Sequence, residues 1–297
     1  MRYGSGKNLF RMYMEQKKIK IPVIILFLGI LSAFSLMVYS CGLCKKEIEF
    51  ISHQNGIYVV SIDSGYFSRN SDVYAADFLE TVENIGRKNK AKIAVNAGYF
   101  DPENGKSISY LVKNNQIVLN PVQNERLTEN YELQPHIDKI FNRTEFRLLS
   151  CLNPDSYEIL YSDITPHNNT VFPECEIIYS IQAGPGLLPC LDLEKEFFVL
   201  KEENKIIRQS AGVLDKYPRS AIGIKGNRVL IVVATKKAPM TIQALADLMK
   251  NLGVEKAMAF DGGSSTSLYV DLPEANLVLS SAKDNSARRV KTVLIVK

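Results

Sequence analysis

Lys256-Ala257-Met258-Ala259-Phe260-Asp261-Gly262-Gly263-Ser264-Ser265-Thr266-Ser267-Leu268-Tyr269-Val270 is the stretch on which the fold turns. An apolar run of strand character stops at a carboxylate, passes through two glycines and three hydroxyl side chains, and resumes as a second strand. Glycine lets the backbone turn sharply and lets a ligand approach it, so amides and hydroxyls after Asp261 can face an anion. An isolated Asp-Gly-Gly is ordinarily a tight turn and nothing more. Three further turns change its weight: Asn96-Ala97-Gly98-Tyr99-Phe100-Asp101, Gln182-Ala183-Gly184-Pro185-Gly186 and Arg219-Ser220-Ala221-Ile222-Gly223. All pair polar residues with glycine beside a strand-like run. They are expected to converge at one sheet edge, where rigid scaffolds place polar sites.

Outward from these turns, strands are expected at 57–63, 92–95, 157–161, 176–182, 219–224, 229–234 and 290–296, with a hairpin over 108–119 turning at Asn114-Asn115. Phe78, Leu79, Val82 and Ile85 fall at helical spacing, which predicts a helix over 75–85. A second helix is expected over 241–252, capped by Thr241 and ended by Gly253. Residues 121–175 read as long polar loops around one or two strands. Strands outnumber helices and short turns join them. The expected class is α+β, a mixed and largely antiparallel sheet with a few packing helices.

The formal net charge is +4, but residues 1–40 hold six basic side chains against one acid, so the remainder stands at −1. Nucleic acid is therefore not an implied partner. Residues 21–40 carry no charged side chain; as a helix they would span about 30 Å, a bilayer core. The basic residues before them put the N-terminus on the cytoplasmic side. The expected organisation is a cytoplasmic tail at 1–20, a transmembrane signal anchor at 21–40, a juxtamembrane linker at 41–55 and an extracytoplasmic domain at 56–297. The alternative is a lipoprotein anchored at Cys41. Cys41 and Cys44 lack the second pair a zinc site needs, and disulfide pairing among Cys151, Cys175 and Cys190 is left open.

In their order along the chain, these turns resemble the phosphodiester glycosidase domain family, which includes the enzyme that uncovers mannose 6-phosphate and bacterial exopolysaccharide-related proteins. The matching motifs are N-G-G-F-F-D at Asn96–Asp101, Q-x-G-P-x-L at Gln182–Leu187, R-[ST]-A-I-G at Arg219–Gly223 and D-G-G-[GS]-S-[ST] at Asp261–Thr266. R-x-V follows at Arg288 or Arg289 with Val290. The likeness covers about residues 56–297. Ala97 replaces a glycine, and Ala234-Thr235-Lys236-Lys237 stands where similar proteins often carry D-G-R.

The resemblance implies a hydrolase that cleaves a glycosyl–phosphate bond, with a phosphorylated glycan or sugar-1-phosphodiester as its partner and no cofactor. The leaving group is a phosphomonoester, which reduces the need for a general acid. Asp261 is the expected carboxylate, as base or electrostatic stabiliser. Arg219 is the expected phosphate ligand, since guanidinium grips phosphate bidentately. Asn96 and Gln182 are expected to position sugar or water. Gly184, Gly262, Gly263, Ser265, Thr266 and Arg289 complete the expected binding set, and Asp63 and Asp101 are candidates for a second carboxylate. His53, His136 and His167 show no metal-ligand spacing, and P-loop, dinucleotide and G-x-S-x-G fingerprints are missing. The alternative function is a non-catalytic binder of phosphoglycan, or a scaffold in polysaccharide assembly.

Overall fold

The computed structural model describes residues 46–155, 157–282 and 287–297. The expected anchor, the cytoplasmic tail and Cys41 lie outside the described residues. The compact unit begins at Glu47, and Ile48–Gln54 pairs with Ile57–Asp63, so this part of the expected linker belongs to the domain.

Three sheets and one hairpin build the domain. A six-stranded sheet has the order Ile48–Gln54, Ile57–Asp63, Arg228–Ala234, Arg219–Lys225, Lys256–Ala259, Gly186–Leu188. A five-stranded sheet runs Ala275–Ser280, Ser267–Leu272, Ile93–Asn96, Arg289–Val296, Ser71–Thr81. Another runs Gln116–Leu119, Leu111–Lys113, Cys175–Gln182, Thr144–Leu152, Glu158–Pro166. Val199–Glu202 and Lys205–Gln209 form the hairpin. Every pairing between these strands is antiparallel, so the sheets are not mixed as expected. Hairpin turns join many neighbours, and helix Ile242–Asn251 crosses from Arg228–Ala234 to Lys256–Ala259, two strands that run in the same direction but are kept from pairing by Arg219–Lys225 between them.

The main core draws one buried face from each large sheet, including Ile62, Ile222, Ile231 and Met258, Val95, Val270 and Leu294, and Phe146, Leu148 and Ile181. Burying each such side chain contributes roughly 1.5–3 kcal/mol. The opposite face of the six-stranded sheet carries helix Ile242–Asn251, which packs Ile242, Leu245 and Met249 against Val59, Leu230 and Val232. Thr241 caps this helix, accepting from the Ala244 N–H at 3.1 Å, and Gly253 leaves it at φ +77°.

Two expectations change. Residues 75–85 are not one helix; Ser71–Thr81 is a strand paired with Arg289–Val296, and the helix is Val82–Lys88. Val82 and Ile85 are buried and Leu79 packs against their cluster, but Phe78 is 89% exposed, so one of the four residues of the apparent helical stripe covers nothing. Sheet pairing overrides local spacing here. The illegible middle contains the longest regular hairpin, Thr144–Leu152 with Glu158–Pro166. Its strand signature is masked because Glu145 and Arg147 are buried charges, paired at 2.5 Å, with His167 Nδ1 at 2.7 Å from the same carboxylate. Cys151 and Cys175 face each other across two paired strands and form a disulfide, leaving Cys190 free and exposed.

Candidate active site

Strand order and register bring the turns to one end of the sheets. In the six-stranded sheet Ile57, Ala234 and Arg219 are aligned neighbours, and Lys256–Ala259 runs out beside them into Asp261. In the adjoining sheet Ile93–Asn96 ends and Ser267–Leu272 begins at the same place. Asn96 ties them together. Its Nδ2 donates to the Asp261 carbonyl at 2.6 Å, and its Oδ1 accepts from Ser220 Oγ at 2.7 Å and Ser267 N–H at 3.0 Å. The Asp261 N–H donates to the Ala97 carbonyl at 2.8 Å. With no solvent exposure and these partners, Asn96 positions the Asp261 backbone and does not itself reach a ligand.

Asp261 lies between two cavities and lines both. One, of about 320 Å³, is polar and bounded by the Gly262–Ser265 turn, Tyr217, Phe100 and Arg288. The other, of about 270 Å³, is walled by Tyr99, Phe198, Ile108 and Leu127, with Arg143 and Arg208. Burial pushes the Asp261 carboxyl up to about 7. Hydrogen bonds from Ser265 and from the Gly262 N–H, and the charges of Arg288 and Arg219, hold it from rising further.

Several expected ligands are committed to the protein. Arg219, 2% exposed, donates Nε to the Met240 carbonyl at 3.0 Å, Nη1 to Ala211 at 3.3 Å, and Nη2 to Gly212 and Asp215 at 2.6 and 2.9 Å. The guanidinium that was expected to grip phosphate instead staples the 211–217 loop. Gln182 is fully buried, donating Nε2 to the Phe141 and Arg143 carbonyls and accepting from the Tyr110 N–H. The Gly263 N–H donates to Pro218 O at 2.9 Å, and Gly262 gives its N–H to the Asp261 carboxylate, so neither amide is offered to a substrate anion. Thr266 is buried behind the turn, whereas Ser265 reaches the cavity. Arg289 lines a separate cleft with Tyr74 and Lys88, and its neighbour Arg288 occupies the site. Arg289 opens the strand Arg289–Val296 and Arg288 precedes it, and the two neighbours face different cavities.

Neither expected second carboxylate is at the site. Asp63 caps helix Ser64–Asn70 through the Tyr66 N–H, and Asp101 accepts from the Glu103 N–H and pairs with Arg126 at 2.8 Å. The buried acid nearby is Glu196, which accepts from Thr144 N–H and Oγ1 at 2.8 and 3.0 Å and from Gly186 N–H at 2.7 Å. Burial raises its carboxyl above the usual range, and those donors oppose the rise. Gly184 sits over it at φ +79°, where a Cβ would lie 2.4 Å from Glu196 Oε2. Gly184→Ala is therefore expected to cost about 2–4 kcal/mol, from left-handed strain plus overpacking. Chemical denaturation checks this, and an unchanged midpoint would refute it.

The phosphodiester glycosidase family model matches residues 89–297. The chain belongs to the phosphodiester glycosidase family. Its members are glycosidase-type hydrolases of phosphodiester-linked glycans. Among solved structures, the catalytic domain of zebrafish N-acetylglucosamine-1-phosphodiester alpha-N-acetylglucosaminidase, auto-inhibited by its pro-peptide, matches with a TM-score of 0.56 at 16% identity, over 84% of this chain and 81% of that one. A hypothetical protein from Synechocystis matches with a TM-score of 0.52 at 14% identity, over 84% of this chain. The chain spans 61% of that protein's length. At such identities the likeness is one of fold. No curated protein matches the chain.

In this phosphodiester glycosidase domain several cavity residues fall outside the expected set. Tyr99 donates to the Gly184 carbonyl at 3.2 Å, and burial together with Asp261 holds its phenol well above the ordinary range. It lay inside the Asn96–Asp101 motif and was legible as an aromatic beside a site. Arg143, Arg208 and Phe198 come from the polar middle and the small hairpin, and no local pattern marks them.

Proposed function

We propose that this chain hydrolyses the glycosyl–phosphate bond of a sugar-1-phosphodiester, with Asp261 as the reacting carboxylate. The observation that carries this reading is the placement of Asp261: the carboxylate shared by both cavities, with its backbone pinned from both sides by Asn96 and Ala97. Arg288 supplies the cation for the scissile phosphate in the polar cavity, aided by the Ser264 hydroxyl. The sugar lies against Tyr99 and Phe198 in the other cavity. The departing phosphate needs no proton, so Asp261 acts ionised, activating water or facing the oxocarbenium ion.

The pH dependence follows with a definite sign. The active form is the carboxylate, and the phosphodiester stays ionised throughout. kcat/KM for a methyl glycosyl phosphate is therefore expected to rise with pH and level off above about 7. A rate that falls from pH 5 upward would rule out Asp261 as base. Release of free sugar by the full-length chain, across a panel of methyl glycosyl phosphates, is the accompanying test.

The same reading places the domain outside the cell, held by the uncharged run 21–40 or by Cys41. Its supports are that run, the basic leader and the Cys151–Cys175 disulfide, a bond typical of oxidising compartments. A second reading, a non-catalytic phosphoglycan binder or assembly scaffold, draws on the turn after Arg228–Ala234. That turn has Thr235 bonded to the Gly56 carbonyl and carries no acid. Saturable binding without turnover on the whole panel would favour it.

A further inference from the structure

The cavity beyond Asp261 holds an unusual pair of cations. Arg143 is buried and lies over Phe198, its Cζ 3.9 Å from the ring centroid. Its Nε and Nη2 donate to the carbonyls of Glu196 and Phe197. Arg208 lies on Phe197 with its Cζ 4.6 Å from the centroid, and its Nη1 is buried with no hydrogen-bond partner among the described residues. Contact of this kind holds a guanidinium over the ring; Arg143 already spends Nε and Nη2 on carbonyls, whereas Arg208 keeps an unpaired Nη1. The two charges repel each other, and burial already draws Arg143 down to about 10. Of the acids near them, Glu196 is taken up by backbone and Thr144 donors, Glu132 is exposed, and Asp261, at the edge of the cavity, accepts from Ser265 and the Gly262 N–H. Two like charges and an orphaned donor facing a small cavity are costly unless an anion arrives.

That anion is not the scissile phosphate. Arg288 lines the polar cavity with Asp261 and Ser264, so the phosphate leaving from the carbon beside Asp261 belongs on the Arg288 side. At about 270 Å³ the second cavity is small for a ligand site, on the scale of a single sugar ring. The hydroxyls that line it are turned to backbone carbonyls, Ser210 to Phe198 and Tyr99 to Gly184, and Ile108, Leu127 and Ile140 carry no donor, so the two guanidinium groups suit a planar carboxylate better than a phosphate or sulfate.

We propose that Arg143 and Arg208 form a carboxylate subsite, so that the sugar released is an acidic one of the hexuronate class. This rests on the reading of Asp261 as the reacting group. The test compares methyl glucosyl phosphate with methyl glucuronosyl phosphate, both anomers, using the full-length chain. The expected result is a kcat/KM at least about tenfold higher for the glucuronosyl compound, with the ratio falling by about tenfold in Arg208→Gln and less in Arg208→Lys. Melting curves establish that both variants are folded. Equal rates on the two compounds, or a ratio that Arg208→Gln leaves unchanged, would overturn the subsite while hydrolysis stood. If neither compound is hydrolysed, the functional reading fails. Calorimetry with the same pair then decides the subsite: acid-selective binding lost in Arg208→Gln upholds it, and equal binding sinks it.

Discussion

Asp261→Asn should reduce sugar release by about 10³-fold, the scale of losing a positioned base. Asparagine fills the same volume and still accepts from Ser265 and Gly262, and the Asn96 clamp acts on the backbone. Binding should therefore survive, so that kcat falls much more than KM changes. The variant should also be the more stable protein at neutral pH. The Asp261 pKa is higher in the folded chain than in the unfolded one, so its proton stabilises the fold at low pH. That contribution is lost as pH rises from about 4 towards about 7. Asparagine never ionises, so the melting-temperature gap between variant and wild type should open across this window and then stay constant. Equal turnover in the variant would remove Asp261 from the chemistry. A gap independent of pH would contradict its burial.

Arg219→Leu is expected to lower folding stability by about 3–5 kcal/mol, the scale of breaking a buried charge network. Four backbone carbonyls, from Ala211, Gly212, Asp215 and Met240, lose their charged donor at once. Arg219→Lys should recover only part of this, because a compact ammonium cannot span the same fork. A phosphate ligand would behave differently, raising KM with the denaturation midpoint unchanged. Urea unfolding alongside kinetics separates these outcomes.

The parts legible in the sequence were those where one residue carries its own structural reason. Thr241 and Gly253 bracket their helix, and Asn114 and Asn115 take φ +50° and +58° at the hairpin turn where they were expected. The Asp261 turn stood out because glycines and hydroxyls cluster there. What stayed hidden depends on partners distant in sequence. Arg219 and Gln182 looked like ligands because their types suit anions and sugars. Their donors are spent on carbonyls of loops that no local pattern places beside them. The choice of Arg288 over Arg289 rests on where the strand Arg289–Val296 begins, and a shift of one residue changes which of the two faces the site. Thr144–Leu152 was obscured because Glu145 and Arg147 neutralise each other inside the sheet. The family resemblance carried what spacing alone did not, and the match over residues 89–297 bears it out.

Cleavage in ¹⁸O-labelled water tests the central claim most directly. Attack at the sugar carbon, assisted by Asp261, breaks the carbon–oxygen bond and leaves the bridging oxygen on the phosphate. The expected result is one ¹⁸O in the released sugar and none in the methyl phosphate. Label in the phosphate would mean that water attacks phosphorus, and would contradict a glycosidase mechanism at this site.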